Sequence, residues 1–238
     1  MPINSKNEHQ DRSRKCFLSD AYKPRKIFWN IKKDARMIYE YDAALHSKLE
    51  IILYPGWWAL VFHRFAHLLY LMDMFFLARF VAFIPRVLFA IDIHPGARIA
   101  GGIMIDHATG VIIGETCCID EGCMIYQNST LGGTGNEKQH DRHPKLAKNV
   151  VIGAGAIVLG NLVVGENSRI GANTLWIKDD VPPYHTVVGV IGESKPSRRH
   201  IRPTLSHDDL PNIMGDMETK LNSICNEIEA QKFSRINI

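Results

Sequence analysis

Residues 111–132 read VIIGETCCIDEGCMIYQNSTLG, and residues 151–171 read VIGAGAIVLGNLVVGENSRIG. Both stretches return a branched aliphatic residue at every sixth position, usually with a small residue after it. This first row consists of Ile113, Ile119, Ile125, Leu131, Ile152, Val158, Val164 and Ile170. A second row lies four positions further on and is small or apolar throughout: Val111, Cys117, Cys123, Ser129, Ala156, Leu162, Ser168 and Thr174.

A period of six matches neither an α-helix, with its period of about 3.6, nor a half-buried strand of period two. It is typical of a parallel β-helix built of short strands and turns. One coil cannot bury its apolar face alone, so the stacked coils must form the core. The pattern therefore predicts a β-helix domain over residues 91–192.

Two features interrupt the repeat. Traced backwards from Ile113, the first row reaches His107, so a histidine takes a position where the pattern expects an aliphatic residue. The step from Leu131 to Ile152 spans twenty-one positions instead of six, which predicts that the surplus of fifteen leaves the stack as an excursion loop within 132–148. A long excursion from a regular solenoid is more often functional than decorative.

Composition excludes several classes of function. The formal net charge is +3 over 238 residues, and no stripe of Lys and Arg interleaved with aromatic residues indicates a nucleic-acid partner. The five cysteines form no CxxC pair, which favours small buried thiols in a reducing cytoplasm over disulfides or a metal site. The apolar stretch Leu68–Ile84 contains Asp73 and Arg79, so we expect a buried helix and no membrane span.

The remaining chain predicts an α+β organisation in four parts. Residues 1–24 are polar and basic and should form a flexible arm, and residues 25–90 have helical apolar spacing that predicts a domain of three or four helices. Residues 193–238 should form a basic linker, a helix and a tail. That helix has apolar residues at alternating steps of four and three: Leu210, Met214, Met217, Leu221, Ile224 and Ile228.

Asp92, Asp106 and His107 are the first candidates for chemistry. His107 stands fifteen positions after Asp92, a little less than one coil of eighteen, so the two can be neighbours on adjacent coils. A carboxylate beside an imidazole fixes its tautomer and supports its positive charge, as a general base acting on a hydroxyl requires. A purely structural His–Asp hydrogen bond satisfies the same spacing, and the residues alone leave both interpretations open.

Five short motifs occur in order along the chain: DIHP at 92–95, DHATG at 106–110, GET at 114–116, LGGTG at 131–135 and DRHP at 141–144. Together they closely resemble the motifs of the serine O-acetyltransferases of cysteine biosynthesis. The resemblance extends from about Tyr41 to Gly189. Hexapeptide repeats alone would indicate only the acyltransferase superfamily, whereas this set of motifs is specific to the family.

The resemblance implies a left-handed parallel β-helix that forms a homotrimer or a dimer of trimers, with active sites between neighbouring subunits. It also implies acetyl-CoA as the donor and L-serine as the acceptor, with no metal. By the resemblance, His107 is the general base, Asp92 orients it and Glu115 supports the site. We expect direct transfer, because Cys117 and Cys123 belong to the inward row and are poor candidates for a covalent nucleophile.

Substrate contacts are implied in the same way. Asp106 and Asp42 match positions that bind the ammonium group of serine, and Arg142 and His143 match those that bind its carboxylate. The positions along which CoA lies are matched by small residues: Gly133, Thr134, Ala154 and Ala172. The basic residues near the end of the repeats could meet the CoA phosphates or form an ordinary solvated tail: Lys178, Lys195, Arg198 and Arg199.

Two departures from the family pattern and three further hypotheses complete the prediction. Ala43 stands where the family usually has proline, and residues 190–193 replace a typical proline-alanine-arginine run, which bears on the adenine end of the CoA site. The acceptor could instead be homoserine or another small hydroxy-amino acid, and the chain could also be a catalytically silent scaffold subunit. By the resemblance, the terminal Ile238 could insert into O-acetylserine sulfhydrylase.

Overall fold

The structure of the chain is a computed structural model that describes residues 23–135, 141–177 and 179–189, and the backbone of 193–196. All of them belong to the first of two compact units, 1–205 and 206–238. Several predictions lie outside the described residues: most of the basic arm, the C-terminal helix and tail, the role of Ile238, and the side chains of Lys178, Lys195, Arg198 and Arg199.

The chain begins with the helices that the apolar spacing predicts. They are α1 (Ile27–Tyr41), a short 3-10 helix (Lys48–Leu53), α2 (Pro55–Leu71) and α3 (Phe75–Phe89). Pro55 starts α2, where its missing N–H group would have no helical partner anyway. After α3, Ala90 adopts a left-handed conformation with a φ of 56°, which ends the helix and turns the chain into the first strand.

The repeats form a parallel β-helix, which confirms the predicted fold class. Its strands are β1 (Asp92–Ile93), β2 (Arg98–Ile99), β3 (Met104–Asp106), β4 (Ile112–Ile113), β5 (Cys118–Ile119), β6 (Met124–Tyr126), β7 (Thr130–Gly132), β8 (Lys145–Leu146), β9 (Val151–Ile152), β10 (Ile157–Leu159), β11 (Val163–Val164), β12 (Arg169–Ile170), β13 (Leu175–Trp176), β14 (His185–Val188) and β15 (Glu193–Pro196). They form three sheets: β1-β4-β7-β10-β13, β2-β5-β8-β11 and β3-β6-β9-β12-β14-β15. Only the β14–β15 pair is antiparallel among the described strands. Every residue of the predicted first row is buried in the core.

The structure corrects the position of His107 in the repeat. Ile93 pairs with Ile113, twenty positions later, whereas Ile113 pairs with Leu131, eighteen positions later. The first coil therefore contains two extra residues after β3. The inward row continues backwards through Ile105, so His107 is not in that row, and it is 71% exposed.

The excursion is also shorter than predicted. Leu146 is fully buried and pairs with Ile119 on one side and Val164 on the other, so it belongs to the inward row. The step from Leu131 to Leu146 spans fifteen positions where six are expected. A surplus of nine, not fifteen, therefore leaves the stack between β7 and β8.

The apolar segment Leu68–Ile84 is not one helix, because α2 ends at Leu71 and α3 begins at Phe75. The prediction that it is buried is wrong for a single copy of the chain. Phe76 is 82% exposed and Phe80 57% exposed, since nothing in the described chain covers this face of α3. Within the described ranges, no helix has the length and apolar character needed to cross a membrane.

The inward cysteines of the second row are buried as predicted. Burial raises the pKa of the thiols of Cys117 and Cys123 to about 12, which keeps both protonated and unreactive. Cys118 departs from the prediction of free thiols, because it is disulfide-bonded. It precedes the inward Ile119 and so faces out of the coil, where a second sulfur can reach it.

A buried ion pair joins the helices to the first coil. Asp34 of α1 and Arg64 of α2 are almost fully buried and lie 3.0 Å apart. Asp34 also accepts hydrogen bonds from the backbone N–H groups of Gly102 and Ile103, at 2.8 and 3.0 Å, and Arg64 donates to the carbonyl oxygen of Ala100 at 2.6 Å. These contacts set where α1 and α2 bring their polar side chains to the β-helix.

Candidate active site

Two corners of the β-helix carry most of the predicted site residues. The first, termed the His107 corner, follows the third sheet and comprises 106–111, 127–129, 153–156 and 171–174. The second, termed the Arg142 corner, follows the first sheet and comprises 94–97, 114–117 and the described parts of 133–144. The strands of the first sheet separate the two corners.

The His107 corner is conformationally strained. His107 and Ala108 both have left-handed backbones, with φ of 54° and 59°, and neither is a glycine or an asparagine. Such conformations cost about 1–3 kcal/mol each and are concentrated at functional sites. The two extra residues of the first coil thus form a turn that displays the imidazole to solvent.

Asp106 is the acidic group nearest to His107. The backbone N–H group of His107 donates to Asp106 Oδ1 at 2.8 Å, and Nε2 of the imidazole lies 3.8 Å from Asp106 Oδ2. Backbone hydrogen bonds from Gly110 to Ala90 and from Asp92 to Val111 place the start of β1 beside this corner. Asp92 itself pairs with Arg86 at 3.3 Å, and within the described part of the chain no hydrogen bond or ion pair joins it to His107.

Asp42 approaches the same corner from the end of α1. Its carboxylate accepts a hydrogen bond from the phenol of Tyr54 and another from the backbone N–H group of Ala44, at 2.8 Å. Burial, and then the charge of Asp106, raise the pKa of Tyr126 to about 12, and Asp42 adds to the shift. Burial raises the pKa of Tyr54, and both carboxylates raise it further. The structure therefore brings Asp42 and Asp106 into one acidic cluster, lined by two protonated tyrosines.

A column of turn residues continues the His107 corner along the stack. Backbone hydrogen bonds link successive coils, from Asn128 to Thr109, from Gly155 to Gln127 and from Asn173 to Ala154. Coils are spaced by about 4.8 Å, so this column extends about 14 Å over three steps. Ala154 and Ala172 lie on this column. Gly133 and Thr134 do not, because they belong to the Arg142 corner.

Glu115 organises the Arg142 corner. Its Oε2 accepts a hydrogen bond from Nη2 of Arg142 at 2.8 Å, and its Oε1 accepts one from the hydroxyl of Tyr70 in α2 at 3.1 Å. Burial alone would raise the pKa of this carboxyl, but the two hydrogen bonds lower it below its usual value. Glu115 is therefore ionised and holds the guanidinium at the coil.

His143 packs against the same coil and is only 7% exposed. Its Nδ1 lies 3.1 Å from the backbone nitrogen of Thr116 and 2.8 Å from the Thr116 hydroxyl. A Cβ atom on Gly114 would lie 2.1 Å from Cδ2 of the ring, so only glycine leaves room for it. Gly114 thus leaves space for His143, Glu115 pairs with Arg142, and Thr116 supplies a hydroxyl that forms hydrogen bonds.

A buried lysine holds the end of the excursion. Lys145 has no exposed side-chain surface, and its ammonium donates to Asp141 Oδ1 at 2.5 Å, to the His143 carbonyl at 2.9 Å and to Asn161 Oδ1 at 3.1 Å. All three of its donors are used, as a buried ammonium requires. Arg142 and His143 are therefore held on a part of the excursion that is tied to two coils.

The two corners lie far apart in one chain. Gly110 at the first and Glu115 at the second are five positions apart along the coil, up to about 16 Å at about 3.3 Å for each step. The acidic cluster belongs to the first corner and the Arg142–His143 pair to the second. Among the described residues, no group of three or more His, Cys, Asp and Glu side chains could bind a metal ion.

Sequence reasoning assigned no role to several residues that make these contacts. Thr116 stood in one of the family motifs, which was an available signal. Tyr54 precedes the proline that starts α2, but nothing in the sequence indicated that it would reach Asp42. Tyr70 carried no signal, because its partner Glu115 is 45 residues away in the sequence. Lys145 carried none either, because its partner Asp141 lies in the excursion, whose length was wrongly predicted.

The chain is similar in sequence and in fold to known acetyltransferases. Residues 143–175 match a family model described as bacterial transferase hexapeptide (six repeats). A serine acetyltransferase of Synechococcus elongatus is 50% identical over 167 residues, which cover 70% of this chain and 68% of that protein. The structure of a Neisseria gonorrhoeae serine acetyltransferase in complex with serine is 40% identical with a TM-score of 0.67, covering 71% of this chain and 68% of the other. A serine acetyltransferase in complex with CoA is 38% identical with a TM-score of 0.67, covering 74% of this chain and 73% of the other.

Proposed function

The chain belongs to the serine acetyltransferase family, and we propose that it transfers the acetyl group of acetyl-CoA to the hydroxyl oxygen of L-serine. The products are O-acetyl-L-serine and CoA. The names of the relatives and the serine and CoA complexes among the similar structures support this reaction. The roles of the individual residues are argued from the geometry of this chain.

One observation carries the proposed arrangement of the site. An amino acid has its ammonium and carboxylate on the same carbon atom, yet the acidic cluster and the Arg142–His143 pair lie on different corners of one chain. We infer that these groups of a single chain are too far apart to bind both ends of one serine molecule. We therefore place the active site where the His107 corner of one subunit meets the Arg142 corner of the next; the resemblance to the family implies that these subunits form a cyclic homotrimer.

His107 is the general base in this arrangement. An imidazole exchanges protons readily near neutral pH, and this one is displayed on a strained turn next to Asp106. It takes the proton from the serine hydroxyl as the oxygen attacks the thioester carbon. When the C–O bond has formed and the C–S bond breaks, the imidazolium returns the proton to the departing CoA sulfur. General-base assistance of this kind contributes about 10²- to 10⁴-fold.

Asp92 is proposed to orient His107 on assembly. Its carboxylate pairs with Arg86 in this structure, while the backbone at Gly110 and Val111 keeps it beside the corner. Arg86 is 64% exposed, and an exposed ion pair is weak, so the carboxylate can change partner at little cost. Glu115 acts at a distance from the reacting atoms, through its ion pair with Arg142.

Substrate charges decide how serine is oriented. Asp42 and Asp106 bind the ammonium group, which places the hydroxyl near His107. Arg142 and His143 of the neighbouring subunit bind the carboxylate, for which the planar guanidinium is geometrically suited. Charge complementarity at both ends selects a free amino acid over an amine or a simple alcohol.

Acetyl-CoA lies along the column below His107. Ala154 and Ala172 have no side chain beyond Cβ on two successive coils of this column, about 4.8 Å apart, which leaves room for part of an extended pantetheine arm. Gly133 and Thr134 would line the same groove from the neighbouring subunit. Transfer is direct between the two substrates, because the buried thiols of Cys117 and Cys123 are protonated and face the core.

The reaction is tested by thiol release from acetyl-CoA with L-serine, with L-homoserine and with no acceptor. We expect release that depends on serine and falls by about 10²- to 10⁴-fold in His107→Ala. The absence of serine-dependent release would refute the proposed reaction. A preference for homoserine would refute the assignment of the acceptor. Assembly as a dimer of trimers, the cytoplasmic location and the contact of Ile238 with O-acetylserine sulfhydrylase remain predictions.

A further inference from the structure

Thr116 contacts both Arg142 and His143, the residues proposed to bind the substrate carboxylate and termed here the carboxylate clamp. Its hydroxyl oxygen accepts hydrogen bonds from the backbone N–H groups of Arg142, at 3.1 Å, and of His143, at 3.2 Å. The same oxygen lies 2.8 Å from Nδ1 of the His143 ring. The backbone N–H group of Thr116 points at that Nδ1 as well, at 3.1 Å.

Counting donors and acceptors assigns the proton of the imidazole. A hydroxyl has one hydrogen and two lone pairs, and here both lone pairs are used by the two backbone N–H groups. The hydroxyl hydrogen is therefore donated to Nδ1, which also accepts from the backbone of Thr116. An Nδ1 that accepts hydrogen bonds carries no proton, so the neutral ring carries its proton on Nε2.

The tautomer matters for the carboxylate of the substrate. A ring with its proton on Nε2 presents a donor there, whereas the other tautomer would present a lone pair that repels a carboxylate. The Cδ2–Nε2 edge of the ring packs against Gly114, where a Cβ atom would lie 2.2 Å from Nε2 and would displace the ring. The ring is also held in place, because it is 7% exposed and packed against the coil.

We propose that Thr116 is a positioning residue, which holds His143 in the Nε2–H tautomer and fixes both clamp residues for binding the substrate carboxylate. It does so without touching the substrate. The inference rests on the proposed function, because it takes the carboxylate of serine as the ligand of the clamp. The specificity of the clamp for a carboxylate then depends partly on Thr116, which is not itself a clamp residue.

The experiment compares Thr116→Val, which keeps the shape and removes the hydroxyl, with Thr116→Ser, which keeps the hydroxyl. Thr116→Ala serves as a second hydroxyl-free variant if the valine variant fails to fold. The readouts are the KM for serine, the KM for acetyl-CoA, kcat, and the ring nitrogen chemical shifts of His143. These shifts are assigned in ¹⁵N-histidine-labelled protein by their loss in His143→Gln.

In Thr116→Val we expect the KM for serine to rise about 10-fold, with the KM for acetyl-CoA within about twofold of the wild-type value. The ring nitrogen shifts should move from those of the Nε2–H form towards a mixture of tautomers, because Nδ1 keeps only the backbone donor. Thr116→Ser should restore both readouts.

Two outcomes would overturn the inference. One is an unchanged KM for serine in the hydroxyl-free variants. The other is an equal rise of that KM in Thr116→Ser and Thr116→Val with unchanged ring shifts, which would mean that only packing had been disturbed. Failure of the proposed function is distinguishable, since the wild-type chain would then release no thiol with serine while the tautomer could still be measured.

Discussion

Two impaired variants of this chain should recover activity when they assemble together. His107→Ala removes the proposed base, and Arg142→Ala removes the guanidinium of the carboxylate clamp. Because the strands of the first sheet separate the corners of the two residues in one chain, the proposed trimer assigns them to different active sites. A site that takes His107 from one variant and Arg142 from the other is intact.

The size of the recovery follows from counting interfaces. In trimers assembled at random from equal amounts of the two variants, each site receives an intact His107 with a probability of about one half, and an intact Arg142 with the same probability. About one quarter of the sites are therefore complete. On its own, His107→Ala should retain about 1% or less of the wild-type activity. Arg142→Ala should have a kcat/KM for serine about 10- to 150-fold below the wild-type value.

The assay uses two differently tagged variants, co-expressed and purified through both tags so that only mixed assemblies are measured. Thiol release is followed at serine concentrations below the KM, where the rate reports kcat/KM. A matched control combines the wild-type chain with the double variant His107→Ala, Arg142→Ala. In trimers that contain both chains, a shared site leaves about one third of the sites intact for the two single variants and about one sixth in the control mixture.

A site formed within a single chain predicts the opposite result for the two mixtures. If one chain supplied both residues to the same site, the two single variants would show no recovery, and the control mixture would keep about one half of the wild-type activity. That pair of results would refute the shared site. It would also refute the trimeric arrangement proposed from the position of the corners.

Three further predictions concern single side chains. Gly114→Ala should raise the KM for serine by about 10-fold or more in steady-state assays, because its Cβ atom would collide with His143; an unchanged KM would contradict the packing. Tyr54→Phe should raise the same KM several-fold and leave that for acetyl-CoA unchanged, because Asp42 loses a donor; equal effects on both substrates would count against this role. Burial and nearby Arg79 lower the pKa of His94 to about 4 from its usual value near 6.5, so below about pH 6.5 only the unfolded chain takes up a proton on this residue. Stability measured by urea unfolding should therefore fall between about pH 6.5 and 4, and less steeply in His94→Gln.

The period of six predicted the core correctly wherever the repeat is uninterrupted. Ile113 to Leu131 and Ile152 to Ile170 are inward, as counted. The count was wrong across each of the two insertions, after β3 and between β7 and β8. The period shows that residues have been added but not where they lie. His107 occupied a counted position only because two extra residues shifted the register of the first coil.

The same limit explains what could be predicted of the site. The family motifs identified Asp106, His107, Arg142 and His143 as a set, but spacing along the chain could not assign them to corners without the correct register. With Leu146 recognised as an inward residue, the excursion shrinks to a surplus of nine and Arg142 falls beside Glu115. Contacts such as Thr116 with His143 depend on hydrogen-bond geometry, which no residue pattern encodes.

The face between the two corners gives a physical reason for assembly. The outward row of the first sheet runs through Ile112, Thr130 and Ile157 in register. Ile112 is 46% exposed and Ile157 is 38% exposed, so two aliphatic side chains face solvent in a single chain. Covering this row with a neighbouring subunit would remove apolar surface from water at about 25 cal/mol per Å². Since both corners border this sheet, a subunit that covers it lies beside both, and a rotation about a three-fold axis can bring its Arg142 corner to the His107 corner.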